Sequence, residues 1–186
     1  MLETLMVRHG APTLAGMKTG SLFRIPAEGG GELTREMVRI NQALEPKGAR
    51  LVILKRGNQS DLLYLYREAL LAQCLACEKA QKLLGECGYT VYTPFAALET
   101  LRKRMETQQE FPHEIGLFLG YPLTDVMGFM RNSGQNCLLC GCWKVYGETE
   151  KAMRTFARYH KCTAIYSKWL HTGYSINKLT VAVKPA

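Results

Sequence analysis

Two short apolar runs separated by a polar, turn-rich loop set the strongest constraint on this chain's fold. Leu51-Val52-Ile53-Leu54 and Leu62-Leu63-Tyr64-Leu65-Tyr66 flank Arg56-Gly57-Asn58-Gln59-Ser60-Asp61. Runs of four and five β-favouring residues are too short for helices, and the intervening segment suits a hairpin. A hairpin cannot bury its own faces, so the rest of the chain must cover it. Most of the remaining sequence has helical spacing. Leu33, Met37, Ile40 and Leu44 form one apolar stripe, and Phe95, Leu98, Leu101 and Met105 form another. Thr93-Pro94 reads as an N-cap followed by proline at the first helical position.

Further elements follow from the same rules. Leu2, Leu5 and Met6 predict a short helix, with a strand at Thr4–Val7 as the alternative. Pro12 to Gly20 reads as a compact turn segment, Ser21–Ile25 as a strand, and Gly29-Gly30-Gly31 as a loop. Arg67–Glu86 predicts one helix, with Cys74 and Cys77 on its buried stripe. Pro112–Leu119 and Pro122–Arg131 predict two short helices, and the chain is extended near Trp143–Tyr146. Glu148 to His171 predicts a long helix, and Leu179–Val183 a closing strand. Helices alternate with strands without a βαβ repeat. The expected fold is therefore α+β, a single compact domain over 1–186 with several helices on a small, mainly antiparallel sheet. No apolar run reaches the roughly 18 residues of a membrane span. Early Glu3 argues against a secretory leader, and seven cysteines with no dense spacing pattern suggest a reducing cytoplasm.

The formal net charge of +8 is unevenly spread. All 16 acidic residues lie at or before Glu150, whereas Lys151, Arg154, Arg158, Lys161, Lys168, Lys178 and Lys184 follow with no acid. At about 100° per residue, Lys151, Arg154, Arg158 and Lys161 share one helical arc, opposite Met153 and Phe156. That arc is a candidate anion-binding face for nucleic acid or another polyanion, supported by the interleaved Tyr159, Tyr166 and Trp169. A solvated helix face carries the same pattern.

The cysteines supply a second candidate. Cys137-x-x-Cys140-x-Cys142, with Cys162 further on, could converge on one zinc or iron–sulfur centre, or support thiol redox chemistry. Packing of these thiols beside Leu138, Leu139 and Trp143 is the alternative. Cys162 also lies beside the cationic arc, where cations would lower a thiol's pKa, but a packed Cys162 beside a solvated helix face is the favoured reading. A third candidate is Leu5-Met6-Val7-Arg8-His9-Gly10, which resembles the opening of histidine phosphatases. There a histidine after a strand takes a phosphoryl group and an arginine binds its oxygens, so Arg8 and His9 are the residues concerned. His113-Glu114 reads as a pair at a helix start, satisfied by local hydrogen bonds.

Four stretches taken together resemble an uncharacterised bacterial family, domain of unknown function 3793. They are PTLAGMKTGSLF (Pro12–Phe23), EFPHEIGLFLGYPLTDVMGFM (Glu110–Met130), CWKVYG (Cys142–Gly147) and YHKCTAIY (Tyr159–Tyr166). Their order and spacing fit along essentially the whole chain. The resemblance implies a cysteine after the N-terminal histidine, where this chain has Gly10. It implies no activity, cofactor or catalytic residue.

Overall fold

The computed structural model describes residues 1–27, 31–108 and 110–182, and the fold is α+β. The Gly29-Gly30 part of the expected glycine loop, and Val183 and Lys184, lie outside the described residues. Residue contacts divide the chain into two compact units, Met1–Leu71 with Cys162–Ala186, and Ala72–Lys161.

The first unit is built on a three-stranded antiparallel sheet of order β1-β3-β2, with β1 at Gly20–Pro26, β2 at Ala49–Lys55 and β3 at Ser60–Arg67. The expected hairpin is β2–β3. Its register runs Ala49↔Arg67 to Ile53↔Leu63 and then shifts between Ile53 and Lys55. The Asp61 carboxylate shapes its loop, accepting hydrogen bonds from Gly57 N (3.2 Å) and Arg56 Nη1 (3.2 Å). Gly57 is required there, because a Cβ would stand 2.6 Å from the Ser60 carbonyl oxygen. β3 is central and buried along nearly its whole length, which accounts for its unbroken apolar run.

Helices α1 (Leu2–Leu14) and α2 (Glu32–Leu44) cover this sheet. Leu2, Met6 and Leu14 from α1, and Ile40 and Leu44 from α2, share a core with Leu63 and Leu65. The helix reading of the N-terminus prevails over the strand alternative, because the i, i+4 spacing of Leu2 and Met6 places both on the sheet. α1 does not stop at Pro12. It runs on to Leu14, and the Pro12 carbonyl accepts from Met17 N (2.8 Å).

The second unit is largely helical. The expected helix over Arg67–Glu86 divides into α3 (Glu68–Ala76) and α4 (Glu78–Glu86), with extended Cys77 between them. Gln81 Nε2 donates to the Leu75 carbonyl (2.9 Å), supplying a partner near the break. Cys77 is therefore exposed and Cys74 only half-buried, contrary to the expected core stripe. α5 (Pro94–Thr107) is capped as expected, with Thr93 Oγ1 accepting from Ala96 N (3.4 Å). Leu98, Leu101 and Met105 are buried, but Phe95, in the first turn, is 78% exposed.

α6 (Ile115–Phe118) is shorter than expected, and α7 (Leu123–Arg131) follows after Gly120, whose φ of 74° needs glycine. β4 (Leu139–Cys140) and β5 (Lys144–Val145) form a small antiparallel hairpin. The long helix α8 (Thr149–His171) is as expected. No strand forms over the described part of the expected closing strand, 179–182; Leu179 ends the short helix α9 (Ile176–Leu179), whose Ile176 and Leu179 are buried in the first unit's core. Ser175 caps it, accepting from Lys178 N (3.5 Å). No helix among the described residues is long and apolar enough to cross a membrane.

Candidate functional site: an aromatic pocket in the second unit

The four cysteines proposed as ligands are dispersed by burial and environment. Cys140 and Cys142 are exposed at the β4–β5 hairpin, Cys137 is half-buried ahead of it, and Cys162 is buried in the core of the first unit. Among the described residues no group of three or more His, Cys, Asp or Glu side chains is gathered where it could hold one metal ion. All seven cysteines carry thiols. Nor do these cysteines line a buried strand, since Leu138 is 65% exposed.

Cys162 is packed in the core, the reading favoured over activation by neighbouring cations. On α8 its position falls on the edge of the buried stripe, and burial pushes its thiol pKa up. Pulse alkylation at about pH 8 should label Cys77, Cys140 and Cys142 first and Cys162 last. A raised pKa leaves less thiolate at a given pH, and the core must open to admit the reagent. Peptide mass spectrometry that found Cys162 among the first labelled would contradict this placement.

Lys151, Arg154, Arg158 and Lys161 are exposed along α8, as the helical arc predicts. Two of them make surface ion pairs, Lys151 with Glu148 (3.4 Å) and Arg154 with Glu150 (3.7 Å). Pairs this exposed contribute only about 0–1 kcal/mol and leave the cations accessible. Met153, expected on the buried side, is 59% exposed, while Phe156 is buried.

Arg8 and His9 lie within helix α1, both exposed, so the strand-then-histidine setting of the phosphatase resemblance is absent. The His9 ring stacks against Phe23 at 6.0 Å between centroids. Burial, and secondarily Arg8, lower its pKa. Gly10 is buried against the sheet, where a Cβ would meet Leu65 Cδ2 at 2.7 Å.

The His113-Glu114 pair separates into two roles. Glu114 is 1% exposed and its partners are not local: Arg104 Nε donates to it (2.6 Å), as does Tyr89 Oη (3.1 Å). Arg104 also donates to the Cys87 carbonyl. This buried set joins α5 to the segment before α6, and burial together with Glu114 pushes the Tyr89 phenol pKa up. His113 is exposed and borders a pocket, its ring 4.9 Å from that of Phe129.

That pocket, about 270 Å³ in volume, lies wholly within the second unit. Its walls are His113, Ile115, Gly116, Leu119, Tyr121, Asp125, Val126, Phe129, Trp143 and Lys144. Every one of these belongs to Glu110–Met130 or Cys142–Gly147, two of the stretches singled out in the sequence. Gly116 keeps α6 close to α7, since a Cβ would stand 2.8 Å from Val126 Cγ2. Tyr121 stacks on Trp143 at 5.0 Å, and the Trp143 and Phe156 rings meet at 4.5 Å, nearly perpendicular.

Asp125 holds the hairpin onto α7. It is 3% exposed, and its Oδ2 accepts from Trp143 Nε1 (2.7 Å). Its Oδ1 accepts from the backbone N–H groups of Tyr146 (2.8 Å) and Gly147 (3.0 Å). Three donors saturate the carboxylate and fix the indole plane as a pocket wall. Lys144 supplies the cation. Its Nζ donates to the Gly134 carbonyl (2.7 Å) and lies 5.8 Å from the Phe129 ring centroid.

A smaller cavity of about 150 Å³ shares Asp125 and Trp143 and reaches Tyr159. Burial pushes Tyr121 up to about 12, with the Cys142 thiol adding to the shift. The spacing of Pro122–Arg131 predicts a short helix and gives no sign of this site. The available signal was an acid inside an apolar helix, Asp125 beside Val126, followed by the aromatic-rich CWKVYG.

Fold and site together define an α+β protein with a preformed aromatic pocket large enough for a small ring system. The chain belongs to the family described as Protein of unknown function (DUF3793), whose model matches residues 6–180. No curated protein and no solved structure matches it.

Proposed function

We propose that this protein binds a small planar molecule, an aromatic ring bearing an anionic group, in the pocket between α6, α7 and the β4–β5 hairpin. The observation that carries this reading is the pocket's composition: the indole, phenol and phenyl rings of Trp143, Tyr121 and Phe129 line it beside one lysine cation, Lys144. Apolar walls with few convergent polar groups are the usual form of a small-molecule site. A volume near 270 Å³, just below the roughly 300–1,000 Å³ of drug-sized sites, suits one or two fused rings. Asp125 does not repel an anion strongly, because its charge is offset by three donors. Lys144 has one proton on Gly134 and two left for a carboxylate or phosphate.

The test uses Trp169→Phe protein, in which Trp143 is the sole tryptophan. Titration with one- and two-ring aromatic carboxylates up to about 1 mM should change the Trp143 emission and raise the melting temperature. Phe129→Ala should weaken that binding by about tenfold or more. If no compound in the panel changes either signal, the reading is wrong.

A second reading, cysteine-based chemistry, is favoured by the exposure of Cys140 and Cys142 on the hairpin beside the pocket. These thiols suit exchange with an external disulfide more directly than zinc or iron–sulfur binding, which needs Cys137 drawn in with them. Metal analysis and an absorbance spectrum after anaerobic purification separate the two.

A further inference from the structure

We infer that the C-terminal end of the first unit carries a binding site for single-stranded nucleic acid, centred on a stacked pair of exposed aromatic rings. This site lies in the other unit from the pocket and does not depend on it. Trp169, near the end of α8, is 42% exposed, and Tyr174, beyond the helix end, is 45% exposed. Their rings stack with centroids 5.9 Å apart and planes 19° from parallel.

The stack is positioned from below and from behind. Buried Tyr166 packs against Trp169 at 5.6 Å. The chain reverses at Gly173, whose φ of 89° admits glycine readily, and Tyr174 N donates to the Trp169 carbonyl (3.0 Å). Two large rings held parallel and left half in water are costly to expose without a use. A nucleobase is the flat group that extends such a stack, and every base offers the same π-face.

The surrounding charge selects the polymer. Lys178 Nζ lies 5.5 Å from the Tyr174 ring centroid. Lys168 adjoins Trp169 on α8, and at about 100° per residue Ile165, Lys168, Trp169 and Thr172 fall on one exposed arc. No acidic residue follows Glu150, so nothing within this segment offsets these cations. Stacking surface flanked by uncompensated lysines matches unpaired bases on a phosphate backbone. A duplex buries its base faces and would use the charge alone. The site shares Trp169 with the reading of the Lys151–Lys161 arc, but it is centred on the Trp169–Tyr174 stack and takes Lys168 and Lys178 as its cations.

The experiment is fluorescence anisotropy of the full chain with a labelled oligouridylate of about 16 nucleotides and with a duplex of the same length. Single strand should bind more tightly than duplex, weakening steeply between about 50 and 200 mM salt. Trp169→Ala and Tyr174→Ala should each weaken binding about 5- to 150-fold. Bound oligonucleotide should quench tryptophan emission, and Trp169→Phe should remove most of that quenching. The Lys168→Glu/Lys178→Glu variant leaves the aromatic pair in place and should lower both affinity and salt dependence. Several results would overturn the inference. They are no binding at about 50 mM salt, duplex bound as tightly as single strand, or affinity unchanged in the lysine variant and in either aromatic variant. Binding to phosphatidylserine vesicles that is lost in Trp169→Ala, with oligonucleotide binding unchanged, would assign the surface to a membrane.

Discussion

Arg67→Met should lower the stability of the protein by about 3–5 kcal/mol, read as a shift in the urea midpoint of the first unit. Arg67 ends the central strand β3, and its side chain is fully buried. Among the described residues its side-chain hydrogen-bond partners are all backbone carbonyls. Nε donates to Thr13 O (2.6 Å), Nη1 to Lys47 O (2.8 Å) and Val181 O (2.7 Å), and Nη2 to Leu14 O. Two of those oxygens belong to the last turn of α1, where helix carbonyls lack internal partners and partial negative charge collects. Burial draws the guanidinium pKa down to about 10, so it remains charged at neutral pH. Methionine fills much of the stem's volume but takes the guanidinium donor from all four carbonyls, and among the described residues only Thr13 O and Leu14 O keep a backbone donor, from Gly16 N (3.0 Å) and Val181 N (3.0 Å). Arg67→Lys keeps the charge but not the planar fork, and should recover only part of the loss. A change below about 1 kcal/mol in Arg67→Met would mean that these carbonyls find water or other donors.

Asp125→Asn should cost about 2–4 kcal/mol and also disturb the pocket. One carboxamide oxygen can still accept from the backbone N–H groups of Tyr146 and Gly147. Its Nδ2 then faces the Trp143 indole N–H, placing donor against donor where the native distance is 2.7 Å. The indole must turn, and the wall shared with Tyr121 turns with it. In Trp169→Phe protein the emission maximum should move toward that of solvent-exposed indole. Trp143→Phe removes the conflicting donor, so Asp125→Asn should cost less in that background, and a double-mutant cycle measures the difference. Additive effects in the cycle would show that the carboxylate acts through the backbone alone.

The hairpin, α2, α5 and α8 were legible because each depends on its own short-range spacing. Phe95 and Met153 show where that reasoning stops. Both have plausible periodic positions, but Phe95 lies in the exposed first turn of α5, and Met153 falls outside the buried stripe of α8. The break at Cys77 carried no glycine or proline to announce it.

Arg67 read as the first residue of a helix. Its acceptors stand 20, 53, 54 and 114 residues away, and no local pattern encodes them. The candidate site failed to register for a related reason. Cysteines draw attention by type, whereas Asp125, Phe129 and Trp143 are ordinary residues that matter only because α7 and the hairpin are apposed. The stretches that carried the family resemblance nevertheless contained every pocket residue.

The division of the chain also sets an order of events during synthesis. The core of the first unit joins α1 and α2 to Cys162, Tyr166, Ile176 and Leu179, while the intervening segment Ala72–Lys161 forms a unit of its own. The N-terminal hairpin therefore leaves the ribosome long before the residues that complete its core. At about 5–20 residues per second, translating the intervening segment takes roughly 5–20 s. Throughout that interval the Arg67 socket lacks its Val181 carbonyl, and the apolar face of α2 lacks α9. Nascent chains halted after Leu71 should therefore be protease-sensitive, and those extended past Val181 resistant, because the segment after Lys161 completes a core begun before Ala72.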